Sequence, residues 1–195
     1  MGKQEGGPES GRENGRLNRM AAYASIATAL FLVGLKLWAT WRTGSTAMLG
    51  SLADTALDLV ASIATLIGVW VAAHPADENH RFGHGKAESL AAMFQVILIA
   101  LSAAGFGFRA VSHLVEGQEV RAAEDGIVVS IIAIVATFGL LAWQRHVIRK
   151  TGSIAIQTDH LHYQSDLLLN LAVIAALVLD QMLGLTCADP LFGLL

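Results

Sequence analysis

Residues 46–73 read TAMLGSLADTALDLVASIATLIGVWVAA, an apolar run long enough to cross a bilayer that nevertheless carries two aspartates, Asp54 and Asp58. A later apolar stretch, SIAIQTDHLHYQSDLLLNLAVIAALVLD, contains a second polar pair, His162 and Asp166. Each pair has i, i+4 spacing, which places both side chains on one face of a helix. An ionised carboxylate at the middle of a membrane helix costs roughly 2.5–3.5 kcal/mol. A divalent cation bound by all four side chains would offset this cost.

The composition indicates a membrane protein built from helices. The 195 residues are 54% hydrophobic and 15% charged, whereas a soluble domain carries about 25% charged residues. Apolar blocks of roughly 20 residues, the length that crosses a bilayer, recur along the chain. We therefore predict an all-α membrane protein, a six-helix transmembrane bundle with its sixth helix truncated. The predicted helices cover residues 20–41, 46–73, 87–112, 126–146, 153–180 and, incompletely, 189–195.

Two end segments differ from these blocks. Residues 1–18 are Gly-rich and polar, and we predict a disordered tail ahead of a transmembrane domain that covers residues 19–195. Asp189 and Pro190 have the residue types of a helix start, with an N-cap and a proline in the first turn. The sequence stops at Leu195, so we expect the chain to be a fragment of a longer protein.

Lysine and arginine are distributed unevenly between the two sides of the predicted bundle. In the N-terminal tail and the connections, nine of them fall on one side and two on the other. Because positive residues are enriched in cytoplasmic segments, we predict a cytoplasmic N-terminus. The second and fifth helices then run in opposite directions, and their polar pairs reach a similar depth near mid-membrane. Lys36 falls near the outer end of its helix, where we expect its side chain to reach the interface.

The intramembrane pairs together offer three oxygen ligands and one nitrogen ligand, a donor set that zinc binds in tetrahedral geometry. The predicted transport site consists of Asp54, Asp58, His162 and Asp166. The alternative is that these carboxylates pair with Lys36 and Arg109 or cap helices. His160 points to a different side of the helix from His162, so we exclude it from the site. Asp159 lies a turn nearer the cytoplasm, and a structural, hydrogen-bonding role is favoured for it over metal binding.

A second group of potential ligands lies in the connection HPADENHRFGHGKAES, residues 74–89. Asp77, His80 and His84 have i, i+3, i+7 spacing, which suits metal binding on a partly helical loop. The alternative is a solvated polar loop. His74 and Glu78 are possible substitutes as ligands.

Several classes of protein are excluded by the residues that are missing from the sequence. Cys187 is the one cysteine, so there is no disulfide framework and no CxxC metal site. The net charge of −3 and the lack of a basic cluster outside the membrane flanks argue against nucleic acid as a partner. No H-E-x-x-H motif of a zinc hydrolase occurs.

Three segments of the sequence resemble signatures of the cation diffusion facilitator family. They are TGSTAMLGSLADTALDLVAS at 43–62, PADENHRFGHGKAESLAA at 75–92 and TDHLHYQSDLLLN at 158–170. Their order along the chain also resembles that family, and within it they are most similar to the bacterial zinc and ferrous-iron exporters. The resemblance runs from about Tyr23 to the end of the sequence.

The resemblance implies a six-helix domain that exports divalent metal in exchange for protons, usually as a homodimer. It implies the same four transport-site residues, and it supports Asp77, His80 and His84 as a second, cytoplasm-side metal site. It implies that Lys86 joins a charge interlock near the dimer contact. Relative to the family, the sequence lacks most of the sixth helix and the cytoplasmic C-terminal domain.

The sequence thus predicts a secondary active transporter rather than an enzyme, with no cofactor. The expected substrate is Zn²⁺, with Cd²⁺, Fe²⁺ and Co²⁺ as other candidates, and the expected location is the bacterial inner (plasma) membrane. The other partners we expect are protons, the lipid bilayer and a second copy of the chain. Proton coupling is expected from the residues that bind the metal, His162, Asp54, Asp58 and Asp166. The alternatives are an intramembrane metal-dependent hydrolase and a membrane metal sensor that does not transport.

Overall fold

The structure is a computed structural model that describes residues 8–43, 46–78, 80–116 and 124–183. These residues form five α-helices and no strand. The helices are α1 (Pro8–Thr43), α2 (Thr46–Ala72), α3 (Lys86–Glu116), α4 (Glu124–Thr151) and α5 (Ile154–Leu183). The predicted sixth helix, 189–195, lies outside the described residues.

Four of these helices contain segments long and apolar enough to cross a membrane. The segments are Gly11–Arg42, Leu49–Ala72, Lys86–Gly105 and Val128–Thr151. Large apolar side chains such as Ile67, Leu101 and Val135 remain exposed on the bundle surface, as expected for helices that face lipid. The prediction of an all-α membrane protein is confirmed.

The first helix begins earlier than the sequence predicted. Residues 8–18, which we assigned to a disordered tail, are helical. Leu17 packs against the buried core, and the Asn18 side-chain amide donates a hydrogen bond to Glu88 on α3 (Nδ2 to Oε1, 3.5 Å). The tail prediction rested on local composition, whereas contact with the end of α3 orders this segment.

The helices pack so that α5 lies against α3 and α4 and also contacts α1 and α2. Helix α1 packs chiefly against α2 and α4, and α2 packs against α3. Alanines make up most of one core cluster. In lipid there is no hydrophobic force between helices, so the stability of the bundle depends on close approach of the helix backbones, which small residues allow. This cluster comprises Ala21, Ala22, Val69, Ala91, Val147, Ala155 and Ile156.

Gly68 lies where α2 approaches α3 closely and leaves no room for a side chain. A methyl group at this position would overlap the Cβ of Ala91 and lie 3.1 Å from the carbonyl oxygen of Ala87. Gly139 on α4, by contrast, has no atom within 4 Å of where its Cβ would be.

We expect Gly68→Ala to lower the melting temperature of the detergent-solubilised protein. Overpacking of this kind costs about 1–3 kcal/mol, which for a chain of this size corresponds to a shift of several degrees. Gly139→Ala is the matched control, since it adds the same methyl group to open space and should leave stability unchanged or slightly raised. Equal melting temperatures for the two variants would contradict the proposed close approach of α2 and α3.

Candidate metal-binding sites

Three of the four predicted transport-site residues meet where α2 contacts α5. Potential ligand atoms of Asp58, His162 and Asp166 all lie within 4.8 Å of one another. The Nε2 atom of His162 is 3.0 Å from Oδ1 of Asp58 and 3.6 Å from Oδ2 of Asp166. The i, i+4 spacing on α5 presents His162 and Asp166 to the same point, and α2 supplies the carboxylate opposite them.

Asp54 is the fourth predicted ligand and lies one turn before Asp58 on α2. Its side chain is half-buried, and it makes its own contacts. It does not belong to the group of atoms that lie within 4.8 Å of one another. Its role as a ligand therefore stays a prediction.

A cavity of about 30 Å³ adjoins this group of side chains. Lys36, Thr55, Asp58 and Asp166 contribute to its wall. The Lys36 ammonium donates hydrogen bonds to the Thr55 hydroxyl (2.6 Å) and to the Ser51 carbonyl oxygen (3.3 Å). Its positive charge therefore lies beside the carboxylates rather than at the interface, where the sequence placed it. The sequence feature that indicates this placement is the position of Lys36 in α1, several residues before the helix ends.

The second predicted group assembles in the connection between α2 and α3. Ligand atoms of Asp77, His80 and His84 also lie within 4.8 Å of one another. Nδ1 of His80 is 3.2 Å from Oδ1 of Asp77, and Nε2 of His84 is 3.7 Å from Oδ2. The backbone N–H of His80 donates to Asp77 (2.6 Å) and lowers the pKa of this carboxyl below its usual value. A carboxylate that stays ionised is available as a metal ligand.

Lys86, the predicted interlock residue, is the first residue of α3 and is exposed. It follows the second group of ligands in the chain and lies on the surface of the single chain. Its part in a dimer contact stays a prediction.

Asp159 occupies a different environment from the metal-site carboxylates. It is fully buried, and its two oxygens accept hydrogen bonds from Ser25 (2.6 Å), Gln95 (2.8 Å) and Gln144 (2.7 Å). These donors come from α1, α3 and α4, and Gln95 also contacts the Thr65 hydroxyl of α2 at 2.6 Å. The carboxylate on α5 thus bonds directly to three other helices and reaches α2 through Gln95. These hydrogen bonds support the structural role favoured from the sequence.

The neighbours of Asp159 extend this polar layer. Nδ1 of His160 lies 3.3 Å from the Gln144 side-chain oxygen, which agrees with its exclusion from the transport site. The Tyr163 hydroxyl donates to the Ser25 carbonyl oxygen (3.2 Å) and lies 2.9 Å from the Ser62 hydroxyl. The polar layer formed by Ser25, Gln95, Gln144 and Asp159 lies one helical turn from His162. No local pattern in the sequence marks Ser25 or Gln144 as members of this layer.

Comparison with known proteins gives a consistent match over nearly the whole chain. The family model for the cation efflux transmembrane domain matches residues 22–195. A protein of Pectobacterium carotovorum named cation-efflux pump FieF is 46% identical over 179 residues, covering 92% of this chain and 59% of the relative. Proteins of the same name from Klebsiella pneumoniae and Escherichia coli O1:K1 / APEC are 46% and 43% identical over 180 residues, covering 92% of this chain and 60% of each relative. The chain thus spans about three fifths of the length of these relatives.

The different surroundings of Asp159 and Asp166 predict different effects of removing each carboxylate. Asp159→Ala removes the acceptor shared by three buried donors, each of which keeps one other acceptor, at a net cost of about 1 kcal/mol for each lost hydrogen bond. Oδ2 of Asp166 has no hydrogen-bond partner, so Asp166→Ala leaves no such donor behind.

We expect Asp159→Ala to lower the melting temperature in detergent and chelator by several degrees, and Asp166→Ala to leave it close to wild type. Thermal unfolding of the purified variants measures both. If Asp166→Ala were the more destabilising of the two, the structural role of the polar layer would be refuted.

Proposed function

The chain belongs to the cation efflux family, the cation diffusion facilitators, and from that membership we propose that it exports a divalent metal cation in exchange for protons. The observation that carries the proposal is the convergence of Asp58, His162 and Asp166 at the contact of α2 and α5. An unpaired carboxylate there is costly. A cation that binds to these carboxylates from one side of the membrane and is released on the other would offset this cost.

Zn²⁺ is the substrate that the donor set favours. Two carboxylates and an imidazole suit zinc, whereas an all-oxygen site favours manganese or magnesium. Cd²⁺, Fe²⁺ and Co²⁺ accept similar ligands. Asp54 completes a tetrahedral set of four in this proposal. It is one turn from Asp58 on the same helix, so a small adjustment of α2 would bring it to the metal.

Proton coupling follows from the short contact between His162 and Asp58. A carboxylate without a proton only accepts hydrogen bonds, so a contact of 3.0 Å between Nε2 and Oδ1 needs a proton on one of the two atoms. We propose that both ring nitrogens of His162 carry hydrogen in the metal-free site, so that a metal ion bound to Nε2 and Oδ1 displaces a proton that cannot move to Nδ1 and must leave. Metal and proton then occupy the site alternately, which is the minimum requirement for antiport by His162, Asp58, Asp166 and Asp54.

We further propose a cytoplasmic N-terminus and a homodimer in which Lys86 lies near the contact between the two copies. Asp77, His80 and His84 form a second site on the cytoplasmic side, supported by their mutual distances. The bacterial inner membrane is the location that the named relatives favour.

An intramembrane hydrolase is less well supported. Hydrolysis needs an open coordination position for water together with room for a substrate, and the cavity beside the site is about 30 Å³. This space accommodates about one water molecule. A sensor that does not transport would have no need of a site between membrane-spanning helices, where alternating access requires one.

His162 and His160 provide a matched pair for testing the transport site. We expect His162→Ala to reduce zinc flux into vesicles containing the full-length protein by at least tenfold, because an imidazole ligand is lost. His160→Ala removes an imidazole two residues away that contacts Gln144 instead, and its flux should stay within about twofold of wild type. Equal loss in both variants would show that this face of α5 does not carry the metal.

We expect zinc binding to release at least one proton near neutral pH, and fewer protons from His162→Ala. Calorimetry in buffers of different ionisation enthalpy counts the protons. The measurement uses a background in which His80 and His84 are replaced by Ala, so that only the intramembrane site responds. A count of zero in the otherwise unchanged protein would exclude the proposed antiport.

A further inference from the structure

The cytoplasm-side group of Asp77, His80 and His84 offers three ligand atoms within 4.8 Å of one another. Zinc in a closed site takes four ligands in tetrahedral geometry, so one position is left for water or for another side chain. The side chains of Asp77 and His80 are 53% and 59% exposed, while that of His84 is 16% exposed. On its less exposed side, the group borders a depression that His84 shares with residues at the end of α2.

His74 lies on that side. It follows the last turn of α2, and a surface depression is lined jointly by Trp70, His74, Asp77 and His84. The ring centroids of His74 and His84 are 6.4 Å apart. The depression therefore brings two of the site's ligands, Asp77 and His84, together with the imidazole of His74.

The contacts of His74 favour the tautomer that carries its hydrogen on Nδ1 and can bind a metal through Nε2. Its Nδ1 lies 2.9 Å from the backbone carbonyl oxygen of Trp70. Because a carbonyl oxygen only accepts, the hydrogen belongs to Nδ1, and in the neutral ring the lone pair is left on Nε2. Metal-binding histidines typically have a backbone carbonyl or carboxylate in this orienting position. The Trp70 ring, 4.5 Å away in an edge-to-face contact, supports the imidazole from a second direction.

The separation of the two rings is close to that needed for a shared ion. With zinc–nitrogen bonds of about 2.0–2.1 Å and a tetrahedral angle, the centroids of two imidazoles on one ion are roughly 5 Å apart. The observed 6.4 Å exceeds this by a little over 1 Å. His74 is exposed and lies in the connection that follows α2, not inside a helix. A shift of its ring by about 1 Å therefore needs no movement of the bundle.

We propose that His74 is the fourth protein ligand of the cytoplasm-side site, which becomes a closed site with one carboxylate and three imidazoles. This inference rests on the second site in the proposed function and adds a residue to it. A set of three nitrogens and one oxygen binds zinc in preference to manganese or magnesium, which favour oxygen ligands. A closed set also has no position for a water molecule, which suits retention of the ion rather than catalysis.

The test measures zinc affinity of the full-length protein by competition with a chromophoric chelator. Asp58→Ala and Asp166→Ala silence the intramembrane site in every sample. His74→Ala should weaken zinc binding by at least tenfold, because it removes one of four ligands. Even loss of a group that only orients a ligand lowers metal affinity about 10–100-fold. His146→Ala, which removes an imidazole stacked on Trp143 elsewhere in the chain, is the control and should leave the affinity unchanged.

A cysteine at position 74 tests direct contact with the metal. In a Cys187→Ser background, His74→Cys should give a thiolate-to-metal charge-transfer absorption when Co²⁺ is added, because a thiolate replaces the imidazole in the coordination sphere. Ala73→Cys, on the neighbouring residue, should give no such band.

His84→Ala separates failure of this inference from failure of the second site. If His84→Ala abolishes binding while His74→Ala binds as before and His74→Cys gives no charge-transfer band, a three-ligand site with water stands and His74 is not a ligand. If His84→Ala leaves binding intact, the second site itself is refuted, and the proposal about His74 with it.

Discussion

The carboxylate of Asp159, fully buried on α5, accepts hydrogen bonds from Ser25, Gln95 and Gln144 on three other helices. In lipid, apolar side chains gain little by leaving the solvent, so association of helices depends on close packing and on polar contacts of this kind. Because α5 also carries His162 one turn away, the same contacts fix the position of the imidazole relative to α2. The geometry of the candidate metal site between α2 and α5 therefore depends on a carboxylate outside it.

Comparison of the buried carboxylates distinguishes a structural role from a functional one. Asp159 has hydrogen-bond donors for both of its oxygens, so it needs neither a metal nor a positive charge. Asp166 has an oxygen without a hydrogen-bond partner, and together with Asp58 it faces His162 and the cavity beside Lys36. A bound cation would give this oxygen a partner, which is the role we propose for it.

The two candidate metal sites differ in which parts of the chain supply their ligands. The intramembrane site joins side chains of two helices, so a relative movement of α2 and α5 would change its ligand distances, as release of a transported ion demands. The site between α2 and α3 takes its three assembled ligands from one short connection, where the His80 backbone N–H donates a hydrogen bond to the Asp77 carboxylate. This difference supports the proposal that the first site transports the ion and the second retains it.

The sequence alone determined the helical membrane class, the limits of α2 and α5 to within a few residues, and the pairing of His162 with Asp166. These properties follow from local spacing, since apolar length and i, i+4 periodicity belong to a single helix. It misjudged residues 8–18 and Lys36, whose surroundings are supplied by other helices. Only the tertiary structure decided which carboxylate has hydrogen-bond donors for both oxygens and which keeps an oxygen without one. Ser25 and Asp159 are 134 positions apart, and no local pattern in the sequence encodes the contact between them.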